Sequence, residues 1–336
     1  MPPDSSITQI TRRSVLIAMG TSALGVAAMG VPRYAAESAD NLRKLLPKFT
    51  EQSRVLLSQV LTDREFSGKI PALQAAQLAR SENKDSDRLM LELIPLAQSY
   101  SRAPISHFHV GVIVRGASGA LYLGANIEVP GQCLGFAVHA EQSALSNAYM
   151  HSEQGVTALA VGGAPCGHCR QFIDEMSPDG EILILTPDSA PAKLSSILPS
   201  AFGPAALGMK NGAFPVGRAK LELVKITSDP LAMAALEAAN MSYAPYSKSP
   251  AGVAVRTVGG RIYRGSYIEN VAFNPSLSPL QTALAASIAA GEPYSVISAV
   301  TLVELENAHI SQKSVTETVL GAIAPAVKLE VVSARA

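Results

Sequence analysis

Apolar residues recur at spacings of three and four through Leu42, Leu45, Leu46 and Phe49, and again through Leu89, Leu91, Ile94 and Leu96. That period places side chains on one face of a helix, so residues 37–100 read as a helical segment. Pro47 and Pro71 interrupt or open helices within it, because proline lacks the N–H that an interior turn needs. The period then shortens. Phe108 to Val114 alternates in strand fashion, Gly116-Ala117-Ser118-Gly119 supplies a turn, and Leu121 to Ile127 reads as the return strand of a hairpin. Val138 to Tyr149 is Ala-rich and helical, Val156 to Val161 is a short apolar strand, Cys166 to Met176 is helical, and Ile182 to Leu185 is a further strand. Hairpin, helix, strand, helix, strand is an α/β pattern whose later strands run parallel.

The pattern then repeats. Gly and Pro become frequent between residues 201 and 228, which read as a linker. Beyond it, Pro104-Ile105-Ser106-His107-Phe108-His109-Val110-Gly111-Val112 is echoed by Pro245-Tyr246-Ser247-Lys248-Ser249-Pro250-Ala251-Gly252-Val253. Gly124-Ala125-Asn126-Ile127-Glu128 is echoed by Gly265-Ser266-Tyr267-Ile268-Glu269. Two copies of one unit are expected, over 101–200 and 229–336.

Composition narrows the class. Hydrophobic residues make up 48% of the 336 and charged residues 16%, which fits well-buried globular domains. Lys plus Arg equals Asp plus Glu at 27 each. A chain of zero net charge lacks the basic excess of a nucleic-acid binder, so no polymer substrate is expected. Residues 1–36 stand apart: Arg12-Arg13 precedes an apolar stretch from Val15 to Val31, an arrangement similar to a twin-arginine export signal. The expected location is periplasmic or exported if that segment works, and cytoplasmic otherwise. The stretch is short and rich in Gly and Ala, so no stable membrane association is expected.

There are three cysteines, Cys133, Cys166 and Cys169. A Cys-x-x-Cys pair can be a redox disulfide, half of a zinc site, or an accident. Cys166 and Cys169 share one helical face at a helix N-terminus, where the partial positive charge favours thiolate. His139, opening the neighbouring helix, would complete a set of one nitrogen and two sulfurs. Three protein ligands leave a tetrahedral position open, as in catalytic zinc sites, and water there has its pKa brought to about 7. A closed structural site would need His168 as fourth ligand, from an awkward place between the two cysteines. Glu141 lies two residues from His139 and points away from it on a helix. It is therefore read as a proton carrier above the metal-bound water, able to take a proton and return it to a substrate. Cys133 is read as a spare small residue. His-x-Glu followed by Pro-Cys-x-x-Cys is the established signature of zinc nucleobase deaminases.

With Val138-His139-Ala140-Glu141-Gln142, Pro165-Cys166-Gly167-His168-Cys169-Arg170-Gln171-Phe172, Ala244-Pro245-Tyr246-Ser247-Lys248-Ser249-Pro250 and Glu269-Asn270-Val271-Ala272-Phe273-Asn274-Pro275, the chain resembles the two-domain, homodimeric zinc-dependent cytidine deaminases of enteric bacteria and plants. The resemblance covers about residues 85–336. It implies an α/β class, a three-layer α/β/α fold with a mixed sheet, duplicated as a catalytic domain and a degenerate copy. It implies one Zn2+ per chain on His139, Cys166 and Cys169, and cytidine and 2′-deoxycytidine as substrates. It also implies that Asn126 and Glu128 bind the ribose hydroxyls, that Phe108 packs on the pyrimidine ring, and that the Ala140 N–H and Ala164 carbonyl read the base edge and departing amine. Phe273 would approach the partner protomer's site.

Counting from the matched pair Glu128 and Glu269, with one residue of length difference, places Pro279 near the His139 position and Gln281 near the Glu141 position. No cysteine follows Cys169. The second copy is therefore expected to be structural. The rival readings are a polynucleotide cytosine-editing deaminase, a non-catalytic zinc-stabilised binding protein, and a deaminase of another small heterocycle.

Overall fold

The computed structural model describes residues 44–177 and 179–336. The export-like segment 1–36 and Leu42 lie outside the described residues. Among the described residues no helix is long and apolar enough to cross a membrane.

Three of the described helices lead into the first hairpin. Helix α1 (Glu51–Thr62) opens on Thr50, whose hydroxyl accepts the Ser53 N–H at 3.3 Å. Pro71 caps α2 (Ala72–Ser81), and Asp85 caps α3 (Ser86–Gln98) by accepting the Arg88 N–H at 2.7 Å. Pro47 sits in a single 3-10 turn, Leu46–Lys48.

The first sheet has six strands, in the order β1-β3-β2-β4-β5-β6. They are β1 (Lys69–Ile70), β2 (Gly111–Gly116), β3 (Leu121–Ala125), β4 (Val156–Val161), β5 (Leu183–Leu185) and β6 (Ala192–Lys193). β2 pairs antiparallel with β3 and β4 pairs parallel with β5, as the sequence pattern predicts, and β2 also pairs antiparallel with β4. Between these strands run α4 (Ala140–Met150) and α5 (Gly167–Met176).

Two glycines explain how tightly the layers close. A Cβ on Gly111 would collide with the Gln98 and Ile94 backbone of α3, and one on Gly124 with the Ala140 and Ala144 backbone of α4. Gly111 and Gly124 face opposite sides of the sheet, so α3 and α4 sandwich it. Helix α3 is therefore a layer of the first unit. The sequence reading placed it in a separate helical segment because its apolar face shows periodicity and not which sheet it covers.

The second unit repeats this construction. Its sheet runs β7-β11-β10-β8-β9, from β7 (Glu222–Leu223), β8 (Ala251–Thr257), β9 (Ile262–Ser266), β10 (Ile297–Leu305) and β11 (Leu329–Arg335). Helices α6 (Pro230–Asn240), α7 (Pro279–Ala289) and α8 (Lys313–Ile323) cover it. Gly252 admits α6 and Gly265 admits α7 at the same close approach. The 201–228 connection is pinned at both ends and in between. The Ala213 N–H donates to the Glu175 carbonyl, the Ala219 N–H donates to the Asn240 carbonyl, and β7 adds an edge strand to the second sheet.

One predicted strand starts late. The alternation from Phe108 does not become ladder until Gly111. The Asn126 side chain takes the ladder's place: its Nδ2 donates to the Phe108 carbonyl at 2.9 Å and its Oδ1 accepts the Val110 N–H at 2.9 Å. His107 occupies the left-handed region at φ 56°, as does its counterpart Lys248 at φ 55°.

Candidate metal and catalytic centre

Strand β4 ends at Val161, and a four-residue loop leads to Cys166, which caps α5. His139 caps α4 with extended backbone angles, φ −75° and ψ 152°. Both helix N-termini thus meet at one edge of the sheet, and each contributes its partial positive charge there. His139 Nδ1 stands 3.6 Å from Cys166 Sγ and 3.3 Å from Cys169 Sγ, and the two sulfurs are 3.5 Å apart. Zinc–sulfur bonds of about 2.3 Å and zinc–nitrogen bonds of about 2.0–2.1 Å at tetrahedral angles require donor separations of roughly 3.5–3.8 Å. The three donors stand close to those separations, so small side-chain adjustments would seat a zinc ion. Among the described residues this is the single group of three such donors close enough to share an ion.

The electrostatics also call for a cation. Burial, then the negative charges of Glu141 and Cys166, push the Cys169 thiol far above its ordinary range. A divalent ion held between these groups reverses that balance, because a coordinated thiol is deprotonated outright. Both cysteines are free thiols, with an imidazole beside the pair, so the geometry favours the metal set over the redox disulfide. His168 is not part of the set. Its ring packs on that of His139, with centroids 5.1 Å apart.

Glu141 is 6% exposed and adjoins Cys169 on the first turn of α4. A metal ion held by the neighbouring donors would supply this buried carboxylate with a countercharge. Ala140 is buried on the same turn, whereas Ala164 lies exposed in the loop before Cys166. The Glu128 carboxylate accepts the Ile105 and Ser106 N–H groups at 2.8 and 3.0 Å and the Ser106 hydroxyl at 2.5 Å. Burial alone would raise its pKa, but these donors outweigh that effect and hold it below its ordinary value. Asn126 is fixed by Ser101, whose hydroxyl donates to Oδ1 at 2.6 Å and also contacts His109 Nδ1 at 3.0 Å. Phe108 and Phe273 stand out to solvent at 70% and 66% exposure.

The second copy corrects the sequence alignment. Its matching helix, α7, is capped by Ser278, so Ser278 and not Pro279 replaces His139. Leu280 and not Gln281 replaces Glu141, and Gln281 replaces Gln142. The connecting loop is two residues shorter: 11 positions separate Glu128 from His139, and nine separate Glu269 from Ser278. Sequence counting missed this because the loop carries no period to reveal a deletion. The conclusion survives, since neither Ser278 nor Leu280 supplies an imidazole or a carboxylate.

Sequence reasoning also missed Gln142, Gln281, Ser101 and Glu175. Each makes at least one hydrogen bond to an atom remote in sequence, which leaves no local pattern.

A duplicated α/β/α unit whose described residues bring one His/Cys/Cys group beside a buried carboxylate defines the class of zinc-binding hydrolases. The family model for the cytidine and deoxycytidylate deaminase zinc-binding region matches twice, over residues 84–185 and 194–317. A cytidine deaminase of Vibrio parahaemolyticus is 43% identical over 281 residues, covering 84% of this chain and 94% of that protein. One from Shewanella pealeana is 40% identical over 291 residues, covering 87% and 97%. A cytidine deaminase structure from Mycobacterium tuberculosis is 28% identical, covering 34% of this chain and 96% of its own, with a TM-score of 0.32. The chain belongs to the cytidine deaminase family, and its cofactor is zinc.

Proposed function

We propose that the chain hydrolyses cytidine and 2′-deoxycytidine to uridine and 2′-deoxyuridine with release of ammonia, a step of pyrimidine salvage. The observation that carries this reading is the set of three donor atoms at tetrahedral-zinc spacing with a buried carboxylate against them. His139, Cys166 and Cys169 hold the metal. Zinc, when bound, supplies a Lewis acid that makes water nucleophilic near neutral pH. Glu141 takes the proton of the attacking water and passes it to the ring nitrogen and then to the departing amine. Its burial keeps bulk water from competing for that proton.

Asn126 and Glu128 bind the sugar hydroxyls; an amide and a carboxylate suit a diol, and a site built for a hydroxyl rejects analogues that lack it. The first N–H groups of α4 have no acceptor within the helix, which leaves the Ala140 N–H available to the base edge. The Ala164 carbonyl faces the leaving amine, and Phe108 stacks on the pyrimidine. A homodimer would cover the exposed Phe108, Leu134 and Phe273 and bring Phe273 to the partner's site. The Arg12-Arg13 segment directs export, which cell fractionation tests.

An ultraviolet assay on cytidine, with and without a zinc chelator, tests the reaction. Turnover is expected on free cytidine and none after chelation. A zinc-loaded protein inert towards all cytosine nucleosides would overturn the reading. Preference for single-stranded RNA or DNA over cytidine would favour the editing alternative, which the zero net charge opposes.

A further inference from the structure

The second half lacks zinc ligands, yet its side chains reach the segments that carry them. Gln142 is buried, and both ends of its amide are used. Its Oε1 accepts the His139 N–H at 3.2 Å, and its Nε2 donates to the Pro275 carbonyl at 2.9 Å, in the second half's 270–275 turn. Gln281 does the reciprocal. Its Oε1 accepts the Ser278 N–H at 3.0 Å, and its Nε2 donates to the Phe136 carbonyl at 3.0 Å, three residues before His139.

The same 270–275 turn is gripped on the cysteine side. Asn270 Nδ2 donates to the Gln171 carbonyl at 2.9 Å, and the Val271 N–H donates to Glu175 Oε2 at 2.8 Å. Glu175 is fully buried, and its Oε1 accepts the Tyr243 and Tyr246 hydroxyls at 2.7 and 2.6 Å. Gln171 and Glu175 lie on α5, the helix that Cys166 caps and whose first turn holds Cys169. One turn of the non-catalytic half is thus bonded to the helix behind His139 and to the helix behind the cysteines. A metal site whose ligands come from two helices depends on their relative placement, and buried polar groups with all partners made hold one arrangement.

We propose that the second half is an intrachain clamp on the zinc centre, with Gln281 and Glu175 as positioning residues that set the spacing between His139 and the cysteine pair. Gln281 steadies the segment leading into His139 through Phe136. Glu175 ties the cysteine helix to the turn that also receives Gln142. This rests on the reading of His139, Cys166 and Cys169 as the zinc ligands, and it accounts for a polar residue kept at position 281 in a copy that performs no chemistry.

The test uses the full chain carrying Gln281→Leu or Tyr246→Phe, with Leu231→Ala as a control that loosens an apolar cluster formed wholly within the second half. Three quantities are read: zinc transfer to a chromogenic chelator, the d–d absorption of the cobalt(II)-substituted protein, and kcat and KM separately. Partners behind metal ligands typically change affinity or activity about 10–100-fold when removed. Gln281→Leu should speed zinc release about tenfold or more, alter the cobalt bands, and lower kcat with little change in KM. Tyr246→Phe should act in the same direction, more weakly, because Tyr243 still donates to Glu175. Leu231→Ala should lower the melting temperature while zinc release and the cobalt bands stay at wild-type values. The clamp is overturned if both hydrogen-bond variants release zinc at the wild-type rate, or if Leu231→Ala reproduces their effects. A wild-type protein that binds no zinc would instead sink the ligand assignment itself.

Discussion

In the first half, α4 opens on His139 and carries Glu141; in the second, its counterpart α7 opens on Ser278 and carries Leu280. The Ser278 hydroxyl accepts the Gln281 N–H at 3.4 Å, an ordinary helix cap. His139 instead turns Nδ1 towards two sulfurs. Leu280 is fully buried apolar surface where Glu141 is a buried charge. At these positions the second half carries what a stable helix start favours, and the first carries what a metal and a proton require. At Glu128 and its counterpart Glu269 the two halves share the same backbone contacts. Glu128 accepts from the N–H groups of residues 105 and 106, and Glu269 accepts from those of residues 246 and 247. A hydrogen bond shared by both copies is scaffold in origin, so the Glu128 carboxylate serves its loop whatever it does for a sugar.

The sharpest way to break the comparison is at Glu141. Glu141→Ala should keep zinc and fold and lower kcat by about 10²–10⁴-fold or more, the range that proton transfer by a side chain supplies. Leu280→Ala at the matching position should cost stability instead, about 2–5 kcal/mol of unfolding free energy in denaturant titrations. Near-normal turnover in Glu141→Ala would end the proton-carrier role.

A subtler separation comes from the paired glutamates. Glu128→Gln should raise KM for cytidine about tenfold or more, whereas Glu269→Gln should shift only the unfolding midpoint. Equal KM values in the two variants would reduce Glu128 to scaffold.

The smallest effect lies at the junction of the halves. Burial, then the charge of neighbouring Glu175, raises the Asp174 carboxyl to about 6 from an ordinary 3.8. Between about pH 4 and 6 the folded state therefore holds a proton that the unfolded chain has released. Stability should fall as pH rises from about 4 to 6 and stay lower above that. Asp174→Asn should flatten this decline, with a gain on the order of 1 kcal/mol at pH 7 and none below pH 4. Urea titrations at pH 4 and pH 7 measure it, and an unchanged slope would remove Asp174 from the account.

Much of the first half was legible because its signals are local. Strand Val156–Val161 runs over the predicted residues, and His139, Cys166 and Cys169 converge as a zinc set should. The strand expected from Phe108 began three residues late, because Asn126, an isolated side chain 18 positions away, competes with the ladder for the backbone. The helix over 86–98 was recognised, but its assignment to the catalytic layer needed Gly111 and the sheet it lies on.

Residue order alone determined which atoms are able to bind a metal, because ligand chemistry and helix starts are properties of a few adjacent residues. It also determined that the second copy is without ligands, since no cysteine follows Cys169. Only the tertiary structure decided that Ser278 and Leu280 replace His139 and Glu141, and that Gln281 reaches Phe136 across 145 positions of chain. The physical reason is the range of the forces: hydrophobic periodicity is written within each element, whereas a buried amide bonded to a distant carbonyl exists only once the two halves have packed.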